Sequence, residues 1–298
     1  MTVPDPRDFP THTQDLRNEV EAALDRFTQF GEGCPRHLAE AIRYSLLAPG
    51  KRLRPLLVLM AAESCGCSPQ QAMPAACAVE MVHTYSLIHD DLPAMDDDDL
   101  RRGRPSCHVA FGEATAILAG DALLALAFQT LASHIQPPQV AARCCAELAS
   151  AAGAEALVGG QADDLNAEFH ALGVEQLEAI HRRKTGAMFR VSLRLGAIVA
   201  QASEEQIAQL DEYGRRLGLA FQIIDDLLDV DGDVQTMGKR TQKDSSRGKL
   251  TFPALLGREE SSRRAALLVE QARQAVAPFG PKAQQLDALA RYVLERKH

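Results

Sequence analysis

The sequence predicts an all-α protein, a single-domain bundle of about ten to fourteen helices. Apolar residues recur at three- and four-residue spacing over long stretches, including 16–30, 174–200 and 204–230, as on one face of a helix. Aromatic residues make up only 5% of the chain, and runs of alternating β-branched residues are hard to find. Turn residues separate these stretches without forming an interdomain linker, so one domain over 1–298 is expected.

Composition narrows the functional class. With 46% hydrophobic residues the chain can bury a sizeable core, and its net charge of −8 argues against general nucleic-acid binding. The N-terminus is polar, and no stretch approaches the roughly 20 uninterrupted apolar residues of a membrane span. The 7 cysteines form no CxxC pair, so we expect them to be reduced and mostly buried. A soluble, cytoplasmic protein without a zinc site is predicted.

Two clusters of aspartates follow strongly apolar stretches. The first lies in SLIHDDLPAMDDDDLRRG and the second in LAFQIIDDLLDVDGD. So many neighbouring carboxylates repel one another unless cations or solvent offset the repulsion. Because they emerge from core helices, they suit a hard, oxygen-seeking cation such as magnesium, which usually also binds substrate phosphates. Their members are Asp90, Asp91, Asp96, Asp97, Asp98 and Asp99, and then Asp225, Asp226, Asp229, Asp231 and Asp233.

Helix geometry sorts these carboxylates only in part. Asp225 and Asp229 are one turn apart and share a face, so they can hold the same cation. Asp90 and Asp97 share a face in the same way, whereas Asp96 falls about 120° away on an ideal helix. Pro93 interrupts that helix, however, and a local bulge there would bring Asp96 round instead. Geometry alone leaves Asp96 and Asp97 as open alternatives.

Basic residues recur beside both aspartate clusters. Arg and Lys are the natural partners of phosphate oxygens, so the pairing of acidic and basic groups predicts a site for a metal-bound polyphosphate. DVDGD does not complete a calcium loop, and the stretch ending in Gly248-Lys249 does not complete a P-loop, which argues against nucleotide binding by these routes. The basic residues are Lys51, Arg54, Arg101, Arg102, Lys184, Lys239, Lys243 and Lys249.

The ordered motifs resemble those of the trans-prenyltransferases, the polyprenyl synthetase family, and most closely its short-chain bacterial farnesyl diphosphate synthases. The resemblance runs from about Leu16 to the end of the chain. It implies the isoprenoid synthase fold, with helices around a deep apolar cavity. The motifs are GKRLRP, the first aspartate-rich segment, GDALL, GGQADDL, KTG, the second aspartate-rich segment and GKLTFPALLG.

The resemblance also implies roles for individual residues. Asp90 and Asp96, with Asp91 supporting, would bind magnesium that holds the allylic diphosphate, which favours Asp96 over Asp97. A further magnesium would be bound by Asp225, with Asp226 and Asp229 supporting. The remaining implied contacts are Lys51, Arg54, His83 and Arg102 to isopentenyl diphosphate; Arg101, Lys184, Lys239 and Lys249 to the allylic diphosphate; and Thr185 and Gln222 to the developing carbocation.

The implied reaction is a magnesium-dependent head-to-tail (1'-4) condensation of isopentenyl diphosphate with dimethylallyl and geranyl diphosphates. Ionisation of the allylic substrate precedes alkene attack and proton loss, with about three magnesium ions per site and a homodimer implied by the resemblance. Magnesium and basic groups stabilise charge on the departing diphosphate, so Asp90, Asp225, Arg101, Lys184, Thr185 and Gln222 form the predicted catalytic set.

Alternatives within and beyond this class differ in recognisable features. A geranyl or geranylgeranyl diphosphate synthase shares every motif and differs in cavity depth. A terpene cyclase would normally lack the second aspartate cluster and GKRLRP, and a non-catalytic prenyltransferase subunit would lose metal aspartates.

Tyr85, five residues before Asp90, lies about 7.5 Å along the helix from the first aspartates. In the resembling family a bulky residue here marks short products, which favours farnesyl diphosphate.

Overall fold

A computed structural model describes residues 9–167, 173–235 and 251–296, with the backbone alone at 167 and 231–235. These residues are mostly helical, which confirms the predicted fold class. In chain order the helices are α1 (Phe9–Phe27), α2 (Arg36–Leu46), α3 (Leu53–Ser64), α4 (Pro69–Asp90), α5 (Cys107–Phe111), α6 (Glu113–His134), α7 (Pro138–Ala152), α8 (Leu157–Ala167), α9 (Val174–His181), α10 (Ala187–Val199), α11 (Glu204–Gln235), α12 (Phe252–Leu256), α13 (Arg258–Val276) and α14 (Gln284–Glu295).

Three short elements interrupt the α-helical pattern. Strands β1 (Leu100–Arg101) and β2 (Arg104–Pro105) form an antiparallel hairpin, which the sequence analysis did not anticipate. A π-helical turn, Arg182–Gly186, joins α9 to α10, and a 3₁₀ segment, Ala277–Ala283, precedes α14. Two-residue strands are too short to show the alternation that reveals a strand in sequence.

The described residues fall into two compact units, of which the first contains 9–148 and 195–202. Its helices α3 and α4 are buried on nearly every side, as their continuous apolar sequences require. Helix α1 is amphipathic instead and buries Leu16, Val20, Ala23 and Leu24, at the spacing of one helical face. The apolar end of α4 thus carries the first aspartates out of a packed core.

The second unit contains 149–167, 173–194, 203–235 and 251–296 of the described residues. Its longest helix, α11, buries Leu210, Tyr213, Leu217, Ala220 and Ile223 before it reaches the second aspartates. The buried Tyr213 hydroxyl donates a hydrogen bond to the Leu286 carbonyl at 2.7 Å, which ties α14 to α11. The second aspartates therefore also emerge from a core helix. One domain over the whole chain stays a prediction.

Helix α6 is long and apolar enough, by length and composition alone, to cross a membrane. The core helix of a soluble protein passes the same test, and α6 buries Ala116, Ala119, Leu123 and Ala127 within the first unit. All seven cysteines lie among the described residues, and none of them forms a disulfide bond. Only Cys77, Cys107 and Cys144 are buried, so fewer are buried than the sequence analysis expected.

Candidate active site

The first aspartates lie where α4 ends. Helix α4 stops at Asp90, and the chain turns back so that the Asp96 amide donates to the Asp90 carbonyl at 2.8 Å. The Asp97 amide bonds to the Leu92 carbonyl at 3.1 Å, and the Asp97 backbone is left-handed, with φ of 50°. Because 91–99 is a folded turn, the ideal-helix argument that grouped Asp90 with Asp97 does not apply. Backbone bonding places Asp96, rather than Asp97, next to Asp90.

Asp91 has a different environment from its neighbour Asp90. Asp91 is 2% exposed, and its carboxylate accepts hydrogen bonds from Arg101 Nε at 3.0 and 3.2 Å and from Arg101 Nη2. Burial raises the pKa of the Asp91 carboxyl, and the Arg101 guanidinium opposes that shift. Arg101 Nη2 also lies 3.6 Å from Asp98. Arg101, predicted to contact a diphosphate, is thus paired with two aspartates in this structure.

The basic loop before α3 meets the residues predicted with it. Arg54 Nη1 lies 3.1 Å from His83 Nε2, and burial together with the Arg54 charge lowers the pKa of His83 well below its ordinary value. A neutral imidazole accepts the hydrogen bond from Arg54. Arg102 Nη1 donates to the Pro49 carbonyl at 3.1 Å, and Lys51 is exposed. Arg54, His83 and Arg102 thus cluster around the loop that also carries Lys51.

The second aspartates differ from one another in burial. Asp225 forms an ion pair with Arg296, whose guanidinium also lies 4.0 Å from the centre of the Phe221 ring. Asp229, one turn further along α11, is exposed. A cation at Asp225 therefore has to compete with Arg296. The two residues are 71 positions apart, so no sequence pattern near the aspartates predicts this contact.

Asp226 helps to hold α12 in place. Its side chain is 7% exposed and accepts from the Phe252 amide at 2.9 Å and from Gln222 Nε2 at 3.4 Å. Burial raises the pKa of Asp226 to about 6, against those hydrogen bonds, and the charges of Asp229 and Asp225 add to the rise. Asp226 therefore links the start of α12 to α11 in addition to the supporting metal role that the sequence analysis gave it.

The π-helical turn carries Lys184 and Thr185. Lys184 Nζ donates to Asp164 of α8 at 2.8 Å, and Thr185 Oγ1 donates to Gln222 Oε1 at 3.3 Å. A side chain at Gly160 would lie 2.5 Å from the Lys184 backbone nitrogen, so glycine there permits α8 to contact the turn. Isolated π-turns are frequent at functional sites. The turn thus gathers three of the predicted second-unit site residues.

Two polar residues of α8 were missing from the predicted set. Asp164 is the partner of Lys184, and Gln161, three residues earlier, is 8% exposed with both amide atoms buried and without a hydrogen-bond partner. Their signal in the sequence was the GGQADDL motif, where spacing of three and four residues puts Gly160, Gln161 and Asp164 on neighbouring positions of one face.

Several predicted residues lie outside the described part of the chain. Lys239, Lys243 and Lys249 fall within 236–250. Asp231 and Asp233 belong to α11, but their side chains are not described. The structure therefore leaves the predicted diphosphate contacts of Lys239 and Lys249 as predictions.

The aspartate oxygens fit magnesium in chemical type. Over 9–167, 173–235 and 251–296, no group of three His, Cys, Asp or Glu side chains already forms a metal site. Magnesium usually takes one or two carboxylates and completes its shell with water and substrate phosphate oxygens. Asp225 and Asp229, one helical turn apart, and Asp90 and Asp96, joined through their backbones, supply that number of hard ligands.

Tyr85 lies inside the first unit, below the aspartate turn. It is 7% exposed, and its ring meets the His89 ring edge-on at 5.8 Å between centroids. His89 Nε2 is 3.0 Å from the Ile117 carbonyl, and a side chain at Gly120 would collide with the His89 ring. Contacts with α6 therefore hold the His89 ring that packs against Tyr85.

Comparison with known proteins gives concordant matches. The Polyprenyl synthetase family model matches residues 35–283. The chain is 48% identical to a farnesyl diphosphate synthase of Geobacillus stearothermophilus over 87% of this chain and 88% of that one. It is 46% identical to a chloroplastic geranylgeranyl pyrophosphate synthase of Catharanthus roseus over 97% and 82%. An apo crystal structure of an FPP/GFPP synthase from Zymomonas mobilis superposes with a TM-score of 0.87, at 37% identity, over 97% and 100%.

Proposed function

Because the chain belongs to the polyprenyl synthetase family, we propose that it is a farnesyl diphosphate synthase. It condenses isopentenyl diphosphate first with dimethylallyl diphosphate and then with geranyl diphosphate, each time head to tail. The observation that carries this proposal is the similarity, over most of both chains, to a farnesyl diphosphate synthase. Both aspartate-rich segments are complete in this chain, which argues against a non-catalytic subunit.

Lys51, Arg54, His83 and Arg102 hold the diphosphate of isopentenyl diphosphate. The cluster offers two guanidinium groups and an exposed ammonium, the donors that match phosphate oxygens. His83, neutral because burial and Arg54 lower its pKa, accepts from Arg54 and so fixes the direction of that guanidinium. These residues orient the nucleophilic alkene and take no part in proton transfer.

Lys184, Thr185 and Gln222 act on the allylic substrate. Lys184 and Arg101 stabilise negative charge as it builds on the departing diphosphate, an interaction that is strongest in the transition state. Both now pair with aspartates, so substrate binding exchanges a carboxylate for a diphosphate oxygen. Thr185 Oγ1 and Gln222 Oε1, 3.3 Å apart, direct oxygen dipoles at the allylic carbocation. The released diphosphate accepts the proton that is lost after alkene attack.

Magnesium is the expected cofactor, and it would be held by Asp90, Asp96 and Asp225, with Asp91, Asp226 and Asp229 supporting. When bound, it neutralises diphosphate charge as a Lewis acid. Asp91 and Asp226 are the most buried of the six and are bonded to Arg101 and to the Phe252 amide, respectively. They therefore act chiefly by position: Asp91 holds the turn 91–99, and Asp226 holds the start of α12 against α11.

Geranylgeranyl diphosphate synthase is the second candidate because relatives of that name are nearly as similar. The buried Tyr85 ring favours the shorter product. Incubation of the purified protein with magnesium, isopentenyl diphosphate and dimethylallyl diphosphate tests the proposal. Mass spectrometry should find a fifteen-carbon diphosphate as the main product. A twenty-carbon product would support the second candidate, and no condensation would contradict both.

The two diphosphate pockets should respond differently to substitution. Arg54→Gln should raise KM for isopentenyl diphosphate about tenfold or more and change KM for the allylic substrate little, because Arg54 belongs to the first pocket. Lys184→Gln should instead lower kcat by about ten- to a hundredfold, because its charge acts as the diphosphate leaves. Steady-state kinetics with each substrate varied in turn measures both effects.

Arg183→Gln is the matched control for Lys184, since Arg183 is its neighbour in the π-turn and pairs with Asp163 instead. This control should keep near wild-type kinetics. An Arg54→Gln enzyme impaired only towards the allylic substrate would contradict the assignment of the pockets.

We also propose that the protein is a cytoplasmic homodimer. The outer face of α6 exposes Ile117 and Leu118 at 44% and 54%, and a second copy would remove this apolar surface from water. Leu118→Glu should therefore convert a dimer to a monomer on size-exclusion chromatography with light scattering. Leu267→Glu is the control, since Leu267 is similarly exposed, at 58%, but lies on α13. A monomeric wild-type protein would contradict the homodimer.

A further inference from the structure

We propose that Arg52 is a positioning residue for isopentenyl diphosphate. Its buried ion pair with Glu80 holds the loop 47–52 in the conformation that presents Lys51 and Arg54 to the substrate. The identity of that substrate rests on the proposed function, whereas the hold on the loop rests on contacts within the first unit. Within the GKRLRP motif, the sequence analysis gave roles to Lys51 and Arg54 and none to Arg52.

The backbone at Arg52 has an unusual conformation. Its φ of 50° and ψ of 35° are left-handed, immediately before α3 begins at Leu53. Residues other than glycine rarely adopt this conformation, and they keep it only where surrounding contacts enforce it. The Arg52 carbonyl nevertheless accepts the Leu56 amide at 3.1 Å and so starts the helix. Contacts of the Arg52 side chain must therefore hold this residue in its left-handed conformation.

The side chain of Arg52 makes three separate contacts. Its Nη1 donates to Glu80 Oε1 at 2.8 Å, with only 1% and 2% of the two side chains exposed. Nη2 donates to the Ala48 carbonyl at 2.8 Å, and Nε lies 3.7 Å from Glu21 of α1. A planar guanidinium donates from separate nitrogens to acceptors in fixed directions, whereas an ammonium is a single point charge on a flexible stem. Arg52 thereby ties its own loop to α4 through a hydrogen-bonded ion pair, and its charge also lies near Glu21 of α1 without a hydrogen bond.

The same contacts set the directions of the neighbouring bases. Arg52 points inward, while Lys51 before it is exposed and Arg54 after it reaches His83. Glu80 precedes His83 by three residues on α4, so one helical turn supplies the partners of both arginines. The buried pair thus fixes the register between the loop and the helix that carries His83.

A purely stabilising role is the competing explanation, and it can be separated from positioning. Apolar residues of similar volume often replace a buried ion pair without loss of stability. In Arg52→Met/Glu80→Leu the net charge is unchanged and the site remains filled, but the hydrogen bond to the Ala48 carbonyl is absent. If the pair served stability alone, such a variant would bind isopentenyl diphosphate like the wild type.

The test compares this double variant with the wild type. KM for isopentenyl diphosphate should rise about tenfold, with KM for dimethylallyl diphosphate and kcat within about twofold. Hydrogen exchange of the backbone amides over 47–54 should become faster, and thermal unfolding should show a cooperative transition close to that of the wild type. The exchange measurement requires no activity, so it decides whether the pair holds the loop even if the proposed function is wrong.

Two further variants complete the design. Arg52→Lys keeps the charge and a partner for Glu80 but cannot also reach the Ala48 carbonyl, so KM for isopentenyl diphosphate should rise to an intermediate value. Arg43→Met, which removes an ion pair with Asp25 in the same unit, should lower stability and leave that KM unchanged. If the double variant does not fold, the KM for isopentenyl diphosphate and the hydrogen exchange over 47–54 of Arg52→Lys test the proposal instead.

The inference would be overturned if the folded double variant or Arg52→Lys kept the wild-type KM for isopentenyl diphosphate and showed unchanged hydrogen exchange over 47–54. Faster exchange with unchanged KM would overturn the positioning role as well, since the loop would then be dispensable for binding. A wild-type protein that condenses no isopentenyl diphosphate would overturn the proposed function, and with it the identity of the substrate.

Discussion

Asp90→Asn and Asp225→Asn should each lower kcat by about three orders of magnitude or more, with little change in the helical circular dichroism spectrum. Asparagine keeps the volume of aspartate but removes the charge that attracts a divalent cation. At Asp225 the amide oxygen can still accept a hydrogen bond from Arg296, which is almost completely buried, so the variant retains that contact. Product formation at saturating substrates and several magnesium concentrations measures the effect.

The controls test whether loss of any carboxylate has the same consequence. Asp211→Asn lies on the same helix as Asp225 but removes a carboxylate that pairs with Arg190, so near wild-type turnover is expected. Asp97→Asn should keep near wild-type turnover, because asparagine also tolerates the left-handed backbone at that position. Asp96→Asn should lower turnover as Asp90→Asn does. Full activity in EDTA, or equal losses at Asp96 and Asp97, would contradict the metal assignment.

The fold class was predictable because its signal is local. The three- and four-residue apolar periods that predict α1 and α11 are properties of consecutive residues, and the core side chains of both helices lie at those positions. The grouping of Asp225 with Asp229 follows from the same helical geometry. The hairpin at Arg102 was missed because its two strands are only two residues long, while the left-handed Arg102 and Gly103 form the turn between them.

Much of the candidate site depends on contacts that no local pattern encodes. Arg296 meets Asp225 across 71 residues, and Arg52 meets Glu80 across 28. Both ion pairs depend on how the helices pack. From the sequence alone, their side chains therefore cannot be distinguished from ordinary surface charges. The turn after Asp90 is an intermediate case. Pro93 predicts that the helix breaks there, but it does not predict the hydrogen bond from the Asp96 amide to the Asp90 carbonyl.

Tyr85→Ala should shift the main product from fifteen carbons to twenty or more. Tyr85 lies more than one helical turn below Asp90, about 7.5 Å along α4, where a tail growing away from the diphosphate along that helix meets its ring. The ring is 7% exposed and packs edge-on against His89, so it cannot swing aside without losing that contact. Removing it leaves a cavity of the size of a phenol ring, which an added isoprene unit can fill. Chain length is measured by mass spectrometry of the diphosphate products.

Tyr85→Phe is the matched control because it removes the hydroxyl and keeps the ring. If ring volume limits the product, this variant should still release the fifteen-carbon diphosphate, and the alanine variant alone should extend it. Ser86→Ala, a change of small volume at the next position, should leave chain length unchanged. A folded and active Tyr85→Ala enzyme that still stops at fifteen carbons would show that Tyr85 is a core aromatic and that another part of the chain limits the tail.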